Sequence, residues 1–218
     1  MRGPRWIWAT AALLCAAFLL WYDGVRGPLT HVEVERYLAI LERQGGIDAR
    51  QLEWFRRFAE TDDGREVFIL NLAELREQPG AAPGLRADES AEAVLARYTD
   101  YFIPRLFPRA GHPVIAGTPI VPVEQWGITD ESWGSVVVIR HRSRRDLLEM
   151  VTAPGMAEMH PYKIAALAKT VALTFDPSLV LVGPRGWVAL ALVAAAGISH
   201  AVLASRRRAG GSPVPGPA

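Results

Sequence analysis

Two unbroken apolar runs bracket a middle stretch in which apolar and polar positions alternate on short periods. The first run, "WIWATAALLCAAFLLWY" at residues 6–22, carries no charge. Its 17 residues, rising about 1.5 Å each, reach roughly 26 Å as a helix, close to the hydrocarbon thickness of a bilayer. Trp6, Trp8, Trp21 and Tyr22 stand at its ends, where amphipathic rings favour the headgroup region. A cleaved signal peptide shares the Arg2/Arg5 start, but no small-x-small cleavage pattern follows, so an uncleaved anchor over residues 1–23 is expected. The second run, "WVALALVAAAGISHAVLA" at 187–204, is interrupted by His200 near one end and is followed by Arg206, Arg207 and Arg208. It predicts a second membrane helix over 186–205 and a disordered basic tail over 206–218.

Between the runs the periods change twice. Residues 24–63 hold a helical pair. "THVE" is a capping box with Thr30 and Glu33, and "DARQ" repeats the signal with Asp48 and Gln51 after Gly45–Gly46. From 67 the alternation becomes that of a strand, "VFILNL", with Val67, Ile69 and Asn71 on one face and Phe68, Leu70 and Leu72 on the other. A Pro/Gly/Ala-rich loop at 78–87 leads to a helix from about 90, with Ala91, Leu95, Tyr98 and Phe102 at helical spacing. Strands follow near 113–121 and 133–141. "SRRD", Ser143 to Asp146, then caps a helix that Ala153–Pro154–Gly155 ends. A short helical turn and the strand "KTVALTF" complete the order βαββαβ. That order predicts an α+β, ferredoxin-like domain over 64–178. Two helices cover one sheet face, and the other face calls for cover, most simply a second copy packed sheet to sheet as a homodimer.

Charge orients this arrangement. Six of the 24 basic residues lie in the flanking segments, so 18 oppose all 23 acidic residues between 23 and 184, a net charge of −5 there. Such a domain is a poor nucleic-acid surface. The arginines at both outer ends favour the cytoplasm, which puts the termini inside and the domain outside the cell membrane, with the lipid bilayer as its first partner. The lone Cys15 sits in the first apolar run, so no disulfide framework forms within one chain.

Four segments, "VFILNLAEL" (67–75), "YTDYFIPRLFPRAGHPVIAGTP" (98–119), "WGSVVVIRHRSRRDLLEMVTAPGM" (133–156) and "HPYKIAALAKT" (160–170), occur in the order of a bacterial family of unknown function. That family resembles the dimeric α/β-barrel superfamily, with antibiotic-biosynthesis-type monooxygenases and EthD-like proteins as relatives. The resemblance spans residues 67–175 and omits the apolar runs and the helical pair. It implies a pocket between sheet and helices and a chemistry that needs no cofactor, and it transfers no settled reaction. Members often carry arginine after the histidine near the last strand; here Pro161, Tyr162 and Lys163 follow His160.

Candidate pocket residues are Asn71, Tyr98, His112, Trp133, Arg140 and Tyr162, with His160 as general base because its reference pKa lies near neutrality and Tyr162 or Lys163 to orient a substrate. Each has a plainer reading. Asn71 serves as a satisfied structural amide, His112 as a solvated Gly-His-Pro corner, Trp133 as core, and His160 as a helix–strand joint. Arg140, His141, Arg142, Arg144 and Arg145 form a basic run that either draws an anionic ligand or stands as a solvated edge. Spacings for metal ligands, a P-loop or a dinucleotide fingerprint are missing, so no metal or nucleotide cofactor is expected. Two functions remain: a membrane-anchored extracytoplasmic domain that binds a small molecule, extending to cofactor-independent oxidation, or a non-catalytic dimerisation, sensing or interaction module of the cell envelope.

Overall fold

The computed structural model describes residues 5–124, 126, 132–180 and 183–209, so Arg2 and residues 210–218 of the expected tail lie outside it. The chain divides into two units, Met1–Tyr22 with Ser178–Ala218 and Asp23–Pro177.

The first unit holds α1 (Arg5–Asp23) and α7 (Pro184–Ala209), the two helices long and apolar enough to cross a membrane among the described residues. They pair at both ends. Trp8 Nε1 donates to His200 Nδ1 at 3.2 Å, and the Arg185 guanidinium lies 5.0 Å from the Tyr22 ring. His200, the one ionisable residue of its run, thereby finds a donor.

In the second unit, α2 (His31–Gln44) and α3 (Ala49–Glu60) both begin with complete capping boxes, Thr30 with Glu33 and Asp48 with Gln51. Their apolar stripes meet in a core of Val34, Tyr37, Leu38 and Ala59 that also encloses Leu148. Burying a leucine as fully as Leu148 contributes roughly 1.5–3 kcal/mol.

The mixed α+β remainder is built on a four-stranded antiparallel sheet of β1 (Val67–Leu75), β2 (His112–Gly117), β3 (Ser135–His141) and β4 (Leu167–Phe175), in the order β2-β3-β1-β4. Register places Val67, Ile69 and Asn71 beside His141, Ile139 and Val137 on one face. Over that face lie α4 (Ala91–Leu106) and α6 (Met156–Ala166), with the last turn of α5 (Arg144–Val151). Phe102, Leu106, Met150 and Met156 pack there on Ile139. The opposite face carries an apolar row across all four strands, Ile115, Val138, Leu70 and Leu173. The outer members of this row, Ile115 and Leu173, are exposed.

Three local expectations change. The second strand ends at Gly117, ahead of Pro119 and Pro122, which lack the N–H that a ladder needs. The expected turn after Gly155 is an 11-residue helix, α6, continuing through Pro161 because its buried face packs against α4 and the sheet. His112 opens β2, opposite Arg140, instead of lying in a turn.

The largest correction concerns the basic run. Arg140, His141, Arg144, Arg145 and Asp146 are all buried, so the corner between β3 and α5 is an internal charge network and not a solvated edge. Arg140 meets Glu66 at 2.5 Å, the Ala110 carbonyl at 2.8 Å and Asp23 at 3.6 Å. Arg145 pairs with Glu33 and donates to the carbonyls of Gly27 and Pro28, each at 3.0 Å. Arg144 reaches the Phe58 carbonyl, Thr61 Oγ1 and Asp176. One corner thus holds the first residue of this unit, the helical pair and the segment after β4. Charges this deep are tolerated because each guanidinium is matched to a carboxylate and to carbonyl oxygens.

Candidate functional site

Gly155 starts α6 at φ +84°, a left-handed conformation that suits glycine, and a Cβ there would lie 3.2 Å from the Tyr101 hydroxyl. From that fixed start, helical spacing sets Met156, His160 and Lys163 on one face at i, i+4 and i+7. Met156 is buried against the sheet. Lys163 Nζ lies 5.5 Å from the ring centroid of Tyr98 on α4. Tyr98 stacks on Phe102 at 5.5 Å and packs against the core cluster that Val137, the cross-strand partner of Asn71, also borders. The Asn71 amide donates to the carbonyls of Ile69 and Val137 at 3.4 and 3.5 Å, the long end of hydrogen bonding, which leaves it weakly satisfied.

The electrostatics of this cluster are those of desolvated groups. Burial lowers the pKa of His160, and the nearby Lys163 charge lowers it further. Burial likewise lowers Lys163 and pushes the Tyr98 phenol up to about 12. No ion pair of Lys163 occurs among the described residues. The contrast with Arg140, Arg144 and Arg145, each given a carboxylate, is sharp. The arrangement therefore offers a phenol that keeps its proton, an imidazole biased to the neutral form, and an amine with no carboxylate partner among the described residues. Together these can donate a hydrogen bond, accept a proton and present a nucleophile.

The other expected site residues lie elsewhere. Tyr162 faces away on α6, where its hydroxyl donates to the Pro83 carbonyl at 3.0 Å and Arg97 covers its ring at 5.2 Å. With Gly80 N–H donating to the Ala165 carbonyl at 2.8 Å, it anchors the long loop between β1 and α4. His112 stands across from Arg140, the ring Nδ1 2.9 Å from the Pro113 carbonyl. Trp133 sits at the far end of the sheet, under Lys169 Nζ at 4.6 Å. Arg140 is consumed by the buried network. The structure thus places Tyr98 of α4 against Lys163 of α6, on the helix face that also carries His160, while these four lie elsewhere. Lys163, expected at most to orient a substrate, gains the larger part. Reading 156–166 as a turn hid its shared face with His160. Among the described residues no group of three or more His, Cys, Asp or Glu side chains converges as a metal site would require.

No family model matches this sequence, and no curated protein matches it. Among solved structures the chain is similar to RPA0582, a protein of unknown function from Rhodopseudomonas palustris, with 23% identity and a TM-score of 0.52 over 59% of this chain and 94% of that one. A structure of methylated RPA0582 matches with 25% identity and a TM-score of 0.53 over 65% and 98%. At3g17210 from Arabidopsis thaliana has 16% identity and a TM-score of 0.34 over 53% and 99%. The RPA0582 likeness gives the fold, shared with a protein of unknown function. It identifies neither a ferredoxin-like nor a monooxygenase family.

Proposed function

We propose that the chain is a two-pass membrane protein with both termini cytoplasmic and a ferredoxin-like, small-molecule-binding domain outside the cell membrane. The observation that carries the binding site is Lys163 set beside the Tyr98 ring with His160 on the same helix face, all three half-buried and none in an ion pair with a carboxylate among the described residues. Polar groups taken from water and left unpaired are disfavoured unless something completes them, and a small polar ligand does so. Support for the membrane placement comes from α1 and α7 in length and apolarity and from the arginines at the outer ends. The strand order and the antiparallel pairing support the ferredoxin-like description.

Thermal unfolding of the full chain in detergent micelles, screened against small polar compounds, tests the site. A ligand that stabilises the wild type and loses its effect on His160→Ala supports it, and stabilisation that survives the substitution unchanged overturns it. Oxygen consumption on compounds that bind tests the cofactor-independent oxidation implied by the family resemblance. A reporter fused after residue 120 tests the orientation, and cytoplasmic reporter activity would overturn it.

The open row Ile115, Val138, Leu70 and Leu173 favours a second reading, a non-catalytic module that dimerises through the sheet face. Such an apolar surface is the kind that a second copy covers. Light scattering of the full chain in micelles separates the cases. A dimer that Leu173→Glu disperses supports the module, and a monomeric wild type removes it.

A further inference from the structure

The Tyr98–His160–Lys163 cluster has a chemical character that binding alone does not use. Among 24 basic residues, Lys163 and Lys169 are the chain's two lysines. An arginine keeps its charge in any protein environment, whereas a lysine taken from water gives up its proton readily. Lys163 stands half-buried on α6, on the face that begins with the buried Met156. Its amine meets a ring 5.5 Å away, His160 one turn back on the same face, and no carboxylate among the described residues. Lys169 occupies a different setting, on the outer strand β4, opposite Glu74 in the register and over Trp133.

Resting on the binding site above, we propose that Lys163 is a nucleophilic amine that captures a small aldehyde or ketone as an imine. The neutral Nζ adds its lone pair to the carbonyl carbon while the C=O π electrons move to oxygen. A proton shifts from nitrogen to that oxygen and gives a carbinolamine. The C–O bond then breaks and the hydroxyl leaves as water, taking a proton from solvent. The iminium gives a proton to the neutral His160 imidazole, which returns it to solvent, so one carbonyl and one amine yield one imine and one water. The Tyr98 phenol stays protonated at neutral pH and donates a hydrogen bond to the carbonyl oxygen during addition. Burial that lowers the basicity of Lys163 raises the fraction of free amine and supports the same role.

The test uses the full chain in detergent micelles at pH 7 with propanal and sodium cyanoborohydride, which reduces an imine to a stable propyl-lysine. Peptide mass spectrometry reads both lysines in one sample, so Lys169 is an internal reference for reagent and detergent effects. The expected result is propylation of Lys163 several-fold faster than Lys169 at pH 7, with the preference falling as pH rises past the ordinary lysine range. Lys163→Arg keeps a cation on the helix face and should abolish the fast adduct while Lys169 still reacts slowly. Propylation of Lys163 no faster than Lys169 at pH 7 overturns the proposal. A compound that stabilises the wild type and Lys163→Met equally, leaving no adduct after reduction, also overturns the covalent step. That second outcome preserves the binding site, so the two failures are told apart.

Discussion

Acidification should weaken the domain through one buried ring, His141. It ends β3 opposite Val67, is 1% exposed, and lies edge-on to Phe102 with ring centroids 6.5 Å apart. Its Nε2 is buried with no hydrogen-bond partner. Burial drives its pKa down from 6.5 to about 4; Asp146 opposes that shift and Arg140 adds to it. Between those two values the unfolded chain binds a proton that the folded chain refuses, so stability rises with pH across the window. The contribution is fully present above pH 6.5 and is lost as pH falls toward 4. Integrating the linkage gives a loss of about 2 kcal/mol by pH 5 and about 3 kcal/mol by pH 4 relative to neutral solution. Carboxylates titrate in the same range, so the wild-type slope alone is not diagnostic. His141→Leu isolates the ring. It fills similar volume, removes an unsatisfied nitrogen, and should be near neutral at pH 7. Urea unfolding of both chains in micelles, followed by tryptophan fluorescence, supplies the comparison, since tryptophans common to both cancel in the difference. The variant should gain on the wild type by about 2 kcal/mol between pH 7 and pH 5. A stability difference that stays flat over that interval would show that the ring is not held neutral and refute the reasoning.

Arg140→Met should cost about 3–5 kcal/mol in urea unfolding, because it removes a buried guanidinium paired with Glu66 at a site with little solvent. The double variant with Glu66→Met should recover at least about 1 kcal/mol relative to the sum of the singles, and strict additivity would count against the buried pair. Gly64 and Gly46 share φ +78°, but a Cβ on Gly64 would lie 2.9 Å from the Pro28 nitrogen while one on Gly46 meets nothing within 4 Å. Gly64→Ala should therefore shift the urea midpoint further than Gly46→Ala, with about 1–2 kcal/mol of backbone strain common to both; equal shifts would remove the contact argument. Ser143→Ala deletes the cap that accepts from the Asp146 N–H at 3.1 Å, and a loss of about 1 kcal/mol in the same assay is expected.

What the sequence reveals here depends on how far apart the interacting residues lie. Thr30 and Glu33 close their box within one turn, as do Asp48 and Gln51, so those helix starts are legible from a few neighbouring letters. The alternation at Val67, Ile69 and Asn71 is equally local, and the strand appears with the faces that its period assigns. The arginine corner is the opposite case. Arg145 finds Glu33 at a separation of 112 residues, and Arg140 finds Glu66 across 74. Nothing adjacent to "RHRSRR" announces those carboxylates, and a basic run without visible partners reads as solvated. The site fails to show for a different reason. Pro161 and the glycine before α6 suggest a turn, because proline removes a helix hydrogen bond and glycine favours breaks. Packing of Met156 against the sheet outweighs both local signals and extends the helix. Only in that helix do His160 and Lys163 share a face, and only against α4 does the Tyr98 ring meet Lys163. The chemistry is therefore a product of tertiary packing on a weak helix, which ties it to α6. A substitution that unwinds α6 should abolish the Lys163 preference in reductive propylation even with every side chain of the cluster intact.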